Sequence, residues 1–198
     1  MTSFAALQRL ARKPEPSEHC DLCGAIVAQR HQHVIDPAVR KLMCSCHACA
    51  ILFSQGGETK YKRVPRQVRF LSDFSMTDAQ WESLLIPIGL AFFVRSSNEG
   101  RVLAMYPGAA GSAESLLSLD TWTDIAQDNP VLDQMEADVE ALLVNRLSSP
   151  AEYYLVPIDK CYELVGLIRS NWRGLAGGPE VWLKIKDYFS QLREASHA

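Results

Sequence analysis

Five of the chain's six cysteines fall between positions 20 and 49, as Cys20-x2-Cys23 and then Cys44-x-Cys46-x2-Cys49. Two CxxC pairs with 22 residues between them lie close to the spacing of a four-thiolate zinc ribbon. A CxxC turn brings two sulfurs to one side, and the amides just past its first cysteine point back at the thiolates. Gly24 permits that tight approach at the first pair. Two such turns at the tip of a hairpin would complete a tetrahedral site with Zn–S bonds of about 2.3 Å. The expected ligands are Cys20, Cys23, Cys46 and Cys49, and the expected ion is Zn2+. Cys44 is the alternative ligand, and His47 stands among the three sulfurs of 44–49. The plainer reading makes Cys44 a small buried hydrophobe at a strand end. Iron competes with zinc, because CxxCG turns also suit a rubredoxin-type centre. Ala50, however, occupies the place of the second glycine. So short a segment cannot make a core of its own, and metal binding is expected to fold it.

Other residue groups carry weaker chemistry. His31 and His33 are two apart and share a face on a strand, so with His47 they could ligate a second ion. Ordinary hydrogen-bonded histidines explain the same pattern, and a solvated His19 explains itself. Lys60, Lys62, Arg63, Arg66 and Arg69 form a basic strip beside the cysteine segment, which raises nucleic-acid binding. The strip contains no base-reading motif, and docking to an acidic partner or to the chain's own acidic part accounts for it better. Gly174–Gly178 matches neither GxxxxGK[ST] nor GxGxxG and reads as an interhelical loop. Cys161 reads as a core residue on an apolar helix face. Neither a GxSxG elbow nor HExxH occurs, so no enzymatic activity is expected.

The elements that must hold these residues divide by charge. Residues 1–70 contain eleven Lys/Arg against five Asp/Glu, a balance of +6; residues 71–198 contain nine against eighteen, a balance of −9. That asymmetry predicts two surfaces. The division expected is an N-terminal helix or tail over 1–17, a four-cysteine module over 18–70 and an α+β domain over 71–198. Ser3–Lys13 has helical composition stopped by Pro14 and Pro16. His31–Asp36 and Arg40–Cys44 make a hairpin turning at Asp36-Pro37. Thr77 and Gln80 form a capping box for a helix through Leu85. Ile88–Arg95 and Arg101–Tyr106 make a second hairpin, whose first strand is apolar on both faces and therefore central. Pro107–Ser115 reads as a small-residue loop and Thr121–Gln127 as a short helix. Val139–Arg146 and Tyr153–Ile158 read as strands. Asp159 is placed to cap a helix burying Cys161, Leu164, Val165, Ile168 and Trp172. Pro179 opens a last helix with Val181, Trp182, Ile185, Phe189 and Leu192 inward. The fold class is α+β: a small zinc-ribbon-like module followed by a mixed domain with a largely antiparallel sheet. The longest apolar run, Ile86–Val94, is half the roughly 18 residues a membrane span needs.

Several stretches together resemble a family of uncharacterised bacterial proteins of about this length, whose genes are often found near those of uptake nickel–iron hydrogenases. They are CDLCG (20–24), His31-Gln32-His33, CSCHAC (44–49), IPIGLAFF (86–93), AMYPGAAGSAESLL (104–117), EALLVNR (140–146) and PIDKCYELVGLIRSNWRGLAGGPEVW (157–182). The last is the most specific, and the resemblance covers nearly the whole chain. It implies a cytoplasmic accessory role connected with a metalloenzyme, in assembly or electron delivery. The partner implied is a hydrogenase subunit or maturation factor. It also includes all five clustered cysteines in the pattern, Cys44 among them.

Overall fold

The computed structural model describes residues 18–54, 59–115, 120–174 and 176–197. The expected helix over Ser3–Lys13 lies outside them. Two antiparallel sheets organise the rest. The smaller has the order β2-β1-β3, from β1 (Gln32–Asp36), β2 (Lys41–Ser45) and β3 (Lys62–Arg63). The hairpin β1–β2 turns through 37–40, where the Asp36 carboxylate accepts from Ala38 N–H at 3.1 Å and Arg40 takes φ 52°. After β2 comes the short helix α1 (His47–Leu52).

The larger sheet has the order β4-β9-β8-β5-β6-β7, and every neighbouring pair is antiparallel. Its strands are β4 (Arg69–Phe70), β5 (Leu90–Ser96), β6 (Arg101–Gly108), β7 (Gly111–Glu114), β8 (Glu140–Asn145) and β9 (Glu152–Pro157). β5 lies between β8 and β6, which is why its residues are apolar on both sides. Leu90, Phe92 and Val94 point to one layer of core, and Ala91 and Phe93 to the other. The first layer is closed by α4 (Ile158–Asn171) and α5 (Pro179–Ala195). The second is closed by α2 (Asp78–Ser83), α3 (Asp120–Asp128) and a 3-10 turn at Pro130–Gln134. The domain is thus a two-sided α/β/α stack on an antiparallel sheet.

Local chemistry sets the element ends. The Thr77–Gln80 capping box forms in both directions, with Gln80 N–H donating to Thr77 Oγ1 at 3.1 Å and Thr77 N–H to Gln80 Oε1 at 2.8 Å. The helix it starts stops at Ser83, short of Leu85. The stretch expected as a loop at 107–115 is largely paired instead: β6 continues to Gly108 and returns as β7, because its small residues fit a tight edge hairpin. Asp159 does not cap α4. The helix already begins at Ile158, with Pro157 at its cap position, so the Asp159 carboxylate is free to bond elsewhere. Trp182 on α5 is 39% exposed rather than inward, lying against Trp172, while Tyr188 takes up the buried position.

Among the described residues, the small sheet and α1 share a buried apolar cluster of Val34, Met43 and Ala50. The sheet is joined to the main core through Ile35, Val64 and Val68. Polar ties reinforce the joint. Lys62 Nζ lies 2.7 Å from Asp138 Oδ2 and 3.2 Å from Ala137 O, and Arg40 reaches Glu114 at 3.2 Å.

Candidate metal centre

The first cysteine pair sits in a tight turn ahead of β1. Gly24 N–H donates to Cys20 O at 2.8 Å, Cys20 N–H donates to Ala25 O at 2.8 Å, and a bridge between His19 and Ile26 closes the turn. Gly24 has φ +74°, a conformation that the missing Cβ makes accessible. The second pair is built differently. Cys46 is the N-cap of α1, its sulfur accepting from Cys49 N–H at 3.4 Å, and Cys49 stands three residues on, on the same helical face. Here the chain continues as helix, and Ala50 is fully buried beside Val34 and Met43. Alanine serves that position where glycine would weaken the helix. The pairs therefore flank the open end of the β1–β2 hairpin, one on a turn and one on a helix, instead of forming two like turns at its tip.

One sulfur from each of Cys20, Cys23, Cys46 and Cys49 lies within 4.8 Å of the others, and Cys23 Sγ is 3.8 Å from Cys46 Sγ. A tetrahedron with bonds of about 2.3 Å has edges of about 3.8 Å, so the donor set fits a four-thiolate ion. None of these cysteines is in a disulfide, whose S–S distance would be about 2.0 Å. Cys20 and Cys49 are buried, Cys46 is half-buried and Cys23 is exposed. Burial raises the Cys20 thiol, but bonds from the backbone of Cys46, Leu22 and Cys23 outweigh it and bring the pKa to about 6. Burial, followed by the sulfurs of Cys23, Cys46 and Cys20, pushes Cys49 up to about 12. The cysteine cluster can hold a metal ion.

Cys44 is half-buried on β2 and lies outside this group. It meets His31 and His33, each contributing one ligand atom within 4.8 Å of the others. The alternative grouping of those histidines with His47 does not form; His47 is exposed at the start of α1. Cys161 is wholly buried between α4 and the sheet, and burial holds its thiol well above the ordinary range. The basic strip is engaged within the chain: Lys60 with Asp36, Lys62 with Asp138, Arg63 with Gln32, Arg66 with His31 O and Arg69 with Gln134. Gly174 and residues 176–178 lie between α4 and α5, where Arg173 N–H donates to Gly177 O at 3.0 Å. The residue missed by sequence reasoning is Asp159, whose carboxylate reaches His33 across 126 positions.

Among the described residues no helix is long and apolar enough to cross a membrane. No curated protein and no solved structure matches the chain. A family model does, over residues 19–196, taking in both cysteine pairs and the last helix. The chain accordingly belongs to DUF5947, a family of unknown function.

Proposed function

We propose that this is a non-catalytic, cytoplasmic accessory protein that binds zinc through Cys20, Cys23, Cys46 and Cys49. Its α+β domain would dock a protein partner, a nickel–iron hydrogenase subunit or maturation factor. The observation that carries the metal is the convergence of the four sulfurs, with an edge matching a tetrahedral zinc–thiolate site. Zinc is favoured over rubredoxin-type iron by the second pair, which caps a helix instead of repeating the glycine turn. The partner rests on the family resemblance. The internal commitments of Lys60–Arg69 favour protein over nucleic acid as that partner.

Metal analysis with a visible spectrum, on untagged protein purified anaerobically, tests the centre. The expected result is colourless protein with a tightly held zinc that is lost in the Cys20→Ser/Cys23→Ser variant. Iron with thiolate charge-transfer bands would replace this reading by an electron carrier. Pull-down from cells expressing the hydrogenase tests the partner, and recovery of no hydrogenase-related protein would count against it.

A further inference from the structure

A second set of ligating side chains converges on the hairpin that separates the cysteine pairs. His33 and Cys44 are direct partners in the β1–β2 register, and residues so opposed project to the same side with Cβ atoms about 4.5–5.5 Å apart. His31, two residues before His33, joins them, and the two imidazole rings meet edge to face at 4.7 Å. One ligand atom from each of the three lies within 4.8 Å of the other two.

The hydrogen bonds have already assigned the ring nitrogens. His33 Nδ1 lies 2.8 Å from Asp159 Oδ2, and His31 Nδ1 lies 2.9 Å from Ala28 O and 3.3 Å from Glu18 Oε2. Carbonyls and carboxylates only accept, so each Nδ1 donates and, in the neutral ring, each Nε2 keeps its lone pair. The His31 side chain is only 7% exposed, and its Nε2 is buried with no hydrogen-bond partner. A buried acceptor left unpaired is costly, and a metal ion would use that lone pair. Asp159 holding His33 by Nδ1 is the carboxylate–histidine support that metal-ligating imidazoles commonly have. The other carboxylate oxygen, Asp159 Oδ1, is also buried without a partner, a second sign that positive charge belongs nearby.

We propose that His31, His33 and Cys44 form a second metal site, distinct from the four-thiolate centre. Two imidazoles and one thiolate suit a late first-row divalent ion such as Co2+ or Zn2+. Three protein donors leave a coordination position for an exogenous ligand, unlike the closed four-cysteine set. The two sites are mechanically joined. Cys44 N–H donates to Asp21 Oδ2 at 2.6 Å and Asp21 N–H to Cys44 O at 2.9 Å, tying the strand that carries Cys44 to the first cysteine turn.

The test is metal stoichiometry after equilibrating the reduced full chain with excess Co2+ and desalting, with the cobalt spectrum of the same sample. Wild type should hold two ions in total, Co2+ plus any retained Zn2+. His31→Ala/His33→Ala should hold one and keep the four-thiolate ion, with its far-UV circular dichroism unchanged. Cys44→Ser should also lose the weaker ion while retaining the tighter one, which gives a second variant if the histidine pair fails to fold. A single ion in wild type would overturn the proposal, as would two retained ions in the histidine variant. So would loss of the tighter ion in Cys44→Ser, which would move Cys44 into the four-thiolate centre.

Discussion

Leu85 stands two residues past the end of α2 with φ 46° and 69% of its surface exposed. A left-handed backbone costs an L-residue about 1–2 kcal/mol, and glycine gives back about 0.5–1 kcal/mol of that in chain entropy. Leu85→Gly should therefore stabilise the protein by about 0.5–1 kcal/mol, seen as a higher urea midpoint; a lower midpoint would mean that Leu85 makes a contact of value. The site residues differ in how far the sequence exposes them. The convergence of two CxxC pairs is legible from spacing, whereas the helix that carries the second pair is not. Pairing of His33 with Cys44 lay one residue from the sequence reading: strands His31–Asp36 and Arg40–Cys44 would set His33 against Met43, whereas the turn takes up 37–40 and sets Asp36 against Lys41. Asp159 was not legible as a partner of His33: helical position suggested a cap, and only the docking of two sheets brings its carboxylate to that ring.

At the scale of elements, the joint between the sheets depends on β3 meeting the segment before β8. Asp138 is only 6% exposed and receives Lys62 Nζ at 2.7 Å, Ser97 Oγ at 2.5 Å and Ser97 N–H at 2.8 Å. Burial alone would raise its carboxyl; the bonds from Lys62 and Ser97 overcome that and hold it below the ordinary 3.8. Lys62→Met leaves the charge buried with the serine alone. Bonds to charged groups are worth about 1.5–3 kcal/mol, and because Lys62 is partly exposed the expected loss is about 1–2 kcal/mol at neutral pH. A carboxyl with a depressed folded pKa contributes its stability above the unfolded value and loses it as pH falls through the folded one. The penalty of Lys62→Met should thus be full at pH 7 and shrink below pH 3.8. Urea unfolding of both proteins across that range checks it, and a penalty independent of pH would assign the loss to packing. Central strands were legible through apolar runs, whereas β7 was not: Gly-Ser-Ala-Glu has no run of large apolar residues, and its pairing comes from β6 beside it.

On the scale of the molecule, two cores of unequal size share one boundary. The larger sheet has apolar layers on both faces, while the small sheet shares with α1 an apolar cluster of Val34, Met43 and Ala50 beside the cysteine cluster. Removing metal should therefore release the smaller unit first. Hydrogen exchange after chelation is expected to speed up at amides of residues 20–50 and to leave β5, β8 and β9 protected; uniform loss of protection would mean the two parts unfold as one. The sequence already separates these parts by charge and cysteine content, but Ile35, Val64 and Val68 look like ordinary strand residues and give no hint that they belong to the other core. The order of the chain adds a temporal consequence. Every ligand of the four-thiolate centre has been synthesised by Cys49, whereas Arg69 of β4 waits for its neighbour Leu155. On the ribosome, the nascent chain can close around an ion long before the sheet that will support it exists. With zinc bound as proposed, metal supply during translation, and not only in the finished protein, would set how much of the chain reaches its final form.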